Sequence, residues 1–367
     1  MDKIATIKSI HLYKLKIPLK QPFIISLGPI YDAESVVVRI ETENGLVGWG
    51  ENSPFLTING ESVDTGIVVG KLFIPFLIGK NALDIADCVH VMDNIIYGNN
   101  SIKSAFDIAL HDIAAQQNKL PLYMYLGGAI QKEIQTDYTV SLNTPELMAQ
   151  QAIEIRDQGF EVIKVKLGKN GKEDVKRIEA IRAAIGNDIP LRIDANQGWQ
   201  VHEAIETLYA LGKYNIQHAE EPIARWNYMH LPSIKLVSPI PIMCDESCYD
   251  INDLERLILL KACHKINIKL GKCGGLYKAM QMIKLAEKHN IPIQIGAFLE
   301  SRLAMTAFVH LAHTNSMIQY FDFDTSLMFK TDPVDGGIIY KERGIIDLPN
   351  SIGLGASPKI ECLDLAS

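Results

Sequence analysis

Three lysines and three carboxylates stand out in the chain as residues that could do chemistry together: Lys164, Lys166 and Lys269, with Asp194, Glu220 and Asp245. Each falls at the C-terminal end of a short apolar run that reads as a β-strand. Three carboxylates converging in a dry cavity repel one another unless a cation lies among them. All-oxygen ligands suit Mg²⁺, which keeps positions open for water or substrate. One such Asp alone would as readily cap the next helix, but three at matching strand ends argue for a metal site. Lys164 and Lys166 are i, i+2 on one strand and share a face. Lys269 lies four strands on, the opposite wall of an eight-stranded ring. A lysine in a desolvated, cationic site can have its pKa drawn down to about 7–8 and act as a base. Mg²⁺ on a substrate carboxylate would stabilise the enediolate left when an α-proton departs. One lysine would remove that proton and the other would return one to the opposite face, giving the epimer.

The elements that must position these groups alternate regularly. Strands are expected at 138–142, 162–167, 191–194, 217–220, 241–245, 265–270, 293–296 and 319–322, with helical patterns between them such as 175–185 and 277–289. Parallel strands need such crossovers, and about 250 residues make eight units of about 30 each. A (β/α) barrel is the simplest architecture, and its active-site rim is the C-terminal end of the strands. A doubly wound sheet is the alternative, but no Gly-x-Gly-x-x-Gly follows the first strand. The first third reads as α+β: a strand at 7–17, then runs at 35–42 and 46–49 joined by Glu43-Asn44-Gly45, a hairpin signal. Helical patterns follow, one after Asn81 and one with Ser101 as its N-cap. The division is a capping domain over 1–125, completed by the tail 331–367, and a catalytic barrel over 126–330.

The 367 residues are 47 % hydrophobic and 22 % charged, the mix of a globular protein with a sizeable core. A net charge of −7 argues against a nucleic-acid partner. The most apolar stretch, 67–78, is broken by Lys71 and Pro75 and is too short to span a bilayer. No apolar signal segment follows the start, and the cysteines match no zinc module, so a cytoplasmic protein with reduced core thiols is expected.

Lys164-Val165-Lys166, Asp194-Ala195-Asn196-Gln197, Glu220 before Pro222, Asp245-Glu246-Ser247 and Lys269 resemble the muconate-lactonising branch of the enolase superfamily, where a lysine base beside Mg²⁺ is a known pattern. The likeness covers nearly the whole chain, and Asp322-Phe323-Asp324 narrows it to the dipeptide epimerases. The resemblance implies an α/β (β/α)7β modified TIM barrel with an α+β N-terminal capping domain, and epimerisation of the C-terminal residue of a dipeptide. It implies one Mg²⁺ per subunit on Asp194, Glu220 and Asp245, with Lys166 and Lys269 as acid/base catalysts. Lys164 would touch the substrate carboxylate, Asp322 and Asp324 would bind its ammonium, and Thr139, Ala297 and Phe298 would line the cleft. Barrels of this type commonly self-associate, so a homo-oligomer is expected.

One departure bears on specificity. Relatives that epimerise Ala-Glu carry an Arg in the capping-domain loop, where this chain has Gly28 within 22–29. A buried, unpaired substrate carboxylate is costly. A small or apolar C-terminal residue is therefore expected, with Ala-Ala the lead candidate and peptidoglycan-peptide recycling its natural setting. Rival readings are another superfamily racemase, dehydratase or cycloisomerase, or a non-catalytic metal- or ligand-binding barrel, which has no use for lysines on both walls. Among weaker signals, Gly271 to Gly275 reads as a tight turn, His310 and His313 as core or interface residues, and Glu300 as a further contact to the enediolate.

Overall fold

A computed structural model describes residues 4–26, 28–129 and 132–366; Leu27, in the loop before Gly28, lies outside them. The chain opens with β1 (Ile7–Ile25), β2 (Gly28–Thr42) and β3 (Val47–Asn52), an antiparallel meander. Along β1, Leu15, Ile17 and Leu19 are buried while Lys14, Lys16 and Lys20 are exposed, the period of a strand with one wet face. The β2–β3 hairpin turns through Gly45, whose φ of +85° is the left-handed conformation the Asn-Gly signal anticipates.

Three helices cover the other face: α1 (Val63–Leu77), α2 (Ile85–Ile95) and α3 (Asn100–Gln117). The apolar stretch at 67–78 thus belongs mostly to α1, which a Ser62/Thr65 capping box starts. No described helix is long and apolar enough to cross a membrane. Asn99, at φ +51°, is the N-cap of α3 rather than Ser101, which lies inside the helix, buried and bonded to Asn52 and Glu61. A methyl on Gly50 of β3 would stand 1.9 Å from the Ala105 carbonyl oxygen of α3, so glycine there permits the strand to lie on the helix.

After α4 (Leu122–Tyr125) and β4 (Ile134–Gln135) come eight parallel strands in one sheet, ordered as in the chain: β5 (Tyr138–Val140), β6 (Ile163–Lys166), β7 (Leu191–Asp194), β8 (Ile216–Glu220), β9 (Ile242–Cys244), β10 (Lys265–Ile268), β11 (Ile293–Gly296) and β12 (Ile318–Asp322). The Asp137 N–H donates to the Phe321 carbonyl, drawing the first and last strands together into a nearly closed barrel. The outer helices are α5 (Pro145–Asp157), α6 (Gly171–Ile185), α7 (Val201–Leu211), α8 (Leu231–Val237), α9 (Ile251–Leu260), α10 (Leu270–Cys273) with α11 (Leu276–Lys288), and α12 (Arg302–Ala312). Among the described residues no α-helix follows β12, and the 3₁₀ turn Thr325–Met328 comes next, which gives the (β/α)7β pattern. β6, β7, β10 and β11 are buried throughout, as strands covered on both faces must be. The tail ends with Asp364–Leu365 paired to β1.

Candidate active site

Asp194, Glu220, Asp322 and Lys166 are the last residues of their strands, and Asp245 and Lys269 come immediately after theirs. All six, with Lys164, are buried. Lys164 Nζ lies 2.7 Å from Asp322 Oδ2, 2.9 Å from Glu220 Oε2 and 3.3 Å from Asp194 Oδ2. Lys166 Nζ is 2.7 Å from Asp194, and Lys269 Nζ is 2.9 Å from Asp245. Lys166 and Lys269 line one cavity of about 40 Å³ together with Thr139, Ala297, Phe298, Asp322 and Asp324. Lys166 lies over the Phe23 ring at 5.9 Å, and Lys269 over Phe298 at 4.8 Å. Phe23 comes from β1, so the capping domain supplies part of the wall.

The charges differ from the sequence expectation in one respect. Burial alone would lower the Lys164 and Lys269 ammoniums, but Asp322, Glu220 and Asp194 hold Lys164 well above its ordinary value, and Asp245 and Glu220 hold Lys269 above its own. Neither Lys164 nor Lys269 is drawn down toward neutrality in this arrangement. The carboxylates outnumber the cations that neutralise them.

The oxygen set of Asp194, Glu220 and Asp245 suits a hard divalent cation. Lys164 is an ammonium stand-in between the first two. Asp245 faces Lys269 at 2.9 Å and Lys272 at 2.5 Å, yet neither of its buried oxygens accepts a hydrogen bond of normal geometry. The donor set is three buried carboxylates whose charges are met here by lysine ammoniums, the chemistry a hard divalent cation takes, so the residues present fit Mg²⁺. A different trio, Asp137, Asp322 and Asp324, brings its oxygens within 4.8 Å of one another among the described residues. Arg192 pairs with Asp137 at 2.8 Å and Lys164 with Asp322. Asp324 has neither of these cations as its ion-pair partner; burial and Asp322 push its carboxyl up to about 7 while the Thr139 N–H, 2.7 Å away, draws it down. With two of the three carboxylates already against cations, the trio suits an ammonium better than a divalent ion.

Several contributors escaped the sequence reading. Glu221, at φ +37°, accepts from the Asp245 N–H at 2.8 Å and from the Ser247 N–H at 3.1 Å, and so sets the turn that aims Asp245. Lys272 lies in α10, where a tight turn was expected, and donates to the carbonyls of Asp245, Asn267 and Cys248. Removing one partner of a buried charged network leaves the others unpaired. Lys272→Met should lower the unfolding free energy by about 3–5 kcal/mol, read as a reduced denaturant midpoint; an unchanged midpoint would refute this role. Asn267 donates to Glu220 at 2.8 Å. It was legible in Lys265-Ile266-Asn267-Ile268-Lys269, whose alternation puts Asn267 and Lys269 on one face. Phe55 and Ile58, also lining the cavity, gave no signal, because they belong to the capping domain.

Glu300 accepts from the Phe298 N–H at 2.6 Å and faces Asn52, so it braces the Ala297-Phe298 segment against the capping domain. His310 accepts at Nδ1 from the Tyr123 N–H, with Nε2 3.1 Å from the Leu354 carbonyl, an interface role.

Residues 147–362 match the enolase C-terminal domain-like family, and residues 8–127 the mandelate racemase / muconate lactonizing enzyme N-terminal domain. The chain belongs to the mandelate racemase / muconate lactonizing enzyme family. Among members of this family, a D-Ala-D/L-Ala epimerase of Cytophaga hutchinsonii is 54 % identical over 95 % of both chains. A hydrophobic dipeptide epimerase of Enterococcus faecalis is 38 % identical over 96 % of this chain and 99 % of its own. The crystal structure of the Cytophaga hutchinsonii dipeptide epimerase, complexed with Mg and D-Ala-L-Val, superposes with a TM-score of 0.97 over 99 % of both chains at 52 % identity.

Proposed function

We propose that this chain is a Mg²⁺-dependent dipeptide epimerase that inverts the α-carbon of the C-terminal residue and prefers Ala or another apolar residue there. The observation that carries this reading is the pair of buried lysines, Lys166 and Lys269, on two strands four apart and facing one cavity that also holds Asp322 and Asp324. The resemblance to enzymes that act on Ala-Ala and hydrophobic dipeptides supports it.

Asp194, Glu220 and Asp245 would hold the Mg²⁺. When bound, it supplies positive charge against the second negative charge that develops on the substrate carboxylate as the α-proton leaves. Lys164 orients that carboxylate. Asp324, with Asp322, holds the substrate ammonium and fixes which carbon stands between the lysines. Lys166 Nζ and Lys269 Nζ each exchange one proton with that carbon, from opposite faces. Phe23 and Phe298 exclude water from the reacting carbon.

Specificity follows from the same wall. Phe23, Ile25, Phe55, Ile58, Phe298 and Leu299 face the cavity, and its only cations among the described residues are the two lysines. A substrate Glu side chain would meet rings rather than a guanidinium, and Gly28 offers it nothing. In deuterium oxide with Mg²⁺, proton NMR of the C-terminal α-proton should show Ala-Ala and Ala-Val exchanging and epimerising at least about tenfold faster than Ala-Glu. Ala-Glu as the best substrate would overturn the specificity; no exchange with any dipeptide would overturn the reaction. A cytoplasmic homo-oligomer serving peptidoglycan-peptide metabolism fits this chemistry.

A further inference from the structure

Glu220 ends β8, and two neutral amides of the barrel interior reach it: Asn267 of β10 and Gln294 of β11. The two are paired neighbours in the β10–β11 register, and both are fully buried. Asn267 Nδ2 donates to Glu220 Oε1 at 2.8 Å, and Gln294 Nε2 donates to Glu220 Oε2 at 3.3 Å. We propose that Asn267 and Gln294 are positioning residues that hold the Glu220 carboxylate in place and so set the affinity of the site for Mg²⁺. The assignment rests on the Mg²⁺ reading above.

The first argument is freedom. A Glu side chain has one more rotatable bond than the Asp side chains at 194 and 245, and ordering a loose ligand on binding costs affinity. One donor on each carboxylate oxygen fixes the plane of the group before an ion arrives. The second argument is charge. Asp194 faces Lys166, and Asp245 faces Lys269 and Lys272, while Glu220 shares Lys164 with Asp194 and Asp322. A lysine that holds a carboxylate also neutralises it, whereas an amide orients it and leaves its charge for a cation. The third argument is packing. A methyl on Gly296, on the same face of β11 as Gln294, would stand 2.7 Å from both Oδ1 and Nδ2 of Asn267, so glycine there leaves the amide its place. Both amides also turn their nitrogens to Glu220, although Asn267 Oδ1 and Gln294 Oε1 then accept no hydrogen bond from the described residues. A hydrogen bond to a charged group is worth more than one between neutral groups, which accounts for that choice.

The test is the thermal midpoint of the whole protein titrated with Mg²⁺. Asn267→Leu, close in shape but without the donor, should need about 10–100-fold more Mg²⁺ than the parent to reach the same rise in midpoint. Gln294→Leu should move the titration in the same direction, and it serves as the second variant should Asn267→Leu not fold. A folded variant with a lower metal-free midpoint but the parent's Mg²⁺ dependence overturns the proposal, because the amide would then only pack. A parent protein that does not respond to Mg²⁺ overturns the metal reading and takes this assignment with it. A parent that responds, beside variants that respond at the same concentrations, overturns this assignment alone.

Discussion

Lys166→Ala and Lys269→Ala should each reduce epimerisation by about 10²–10⁴-fold, the usual contribution of a positioned acid or base, and they should fail in different ways. Lys166 ends β6 and Lys269 follows β10, four strands away, so each amine meets the α-carbon from its own side. Removing one leaves the other able to take the proton that points toward it. In deuterium oxide, each variant should therefore still exchange the α-proton of one diastereomer without producing the other, and the two variants should exchange opposite diastereomers. Stopped epimerisation with surviving one-sided exchange is a result that loss of folding cannot imitate. If both variants exchange the same diastereomer, the lysines do not work from opposite walls. If either variant epimerises at the parent rate, that lysine is not a catalyst.

Chelation of divalent ions should remove activity altogether, and Asp245→Asn should do so with Mg²⁺ in excess. Asp245 is the carboxylate with most to lose. Its burial would raise the carboxyl, but Lys269 and Lys272 hold it well below the ordinary range, so it stays charged. An amide at this position keeps the shape and loses the charge that a hard cation needs. Stability offers a second readout. A ligand that binds only the native state stabilises it, by about 2.7 kcal/mol at one hundred times its dissociation constant. Mg²⁺ should therefore raise the thermal midpoint of the parent protein and leave that of Asp245→Asn nearly where it was. A parent midpoint indifferent to Mg²⁺ would remove the metal from the mechanism.

Both predictions start from strand ends, and strand ends were the legible part of this chain. The run from Leu191 to Asp194 and the run from Ile293 to Gly296 are strands with the bounds their apolar patterns suggest, because fully buried parallel strands are short, apolar and bounded by polar residues. The other six barrel strands each shift by one or two residues at an end. Lys269 was expected within a strand and instead begins a short helical turn, where pairing gives way to the Lys269 carbonyl bonding to Lys272 and Cys273. In the capping domain β1 runs eight residues beyond its expected end at Ile17, because β2 pairs with it out to the Ile25–Gly28 turn. Such pairing is a long-range effect that no local pattern carries.

The sequence by itself determined the order of the elements, the barrel class, and which charged residues stand at the rim, because period-two and period-3.6 patterns are local properties of the chain. Tertiary structure alone decided how those charges divide among themselves. Lys164, not a solvent-facing partner, lies among Asp194, Glu220 and Asp322. Arg192 and Asp137 neutralise each other beside Asp322, and Lys272 is aimed under Asp245. It also decided that Phe23, Phe55 and Ile58, from a domain read as separate, close the cavity. The reason is physical: electrostatic energies inside a protein depend on separation and burial, and groups 27 to 158 residues apart in sequence acquire both only when the chain is folded.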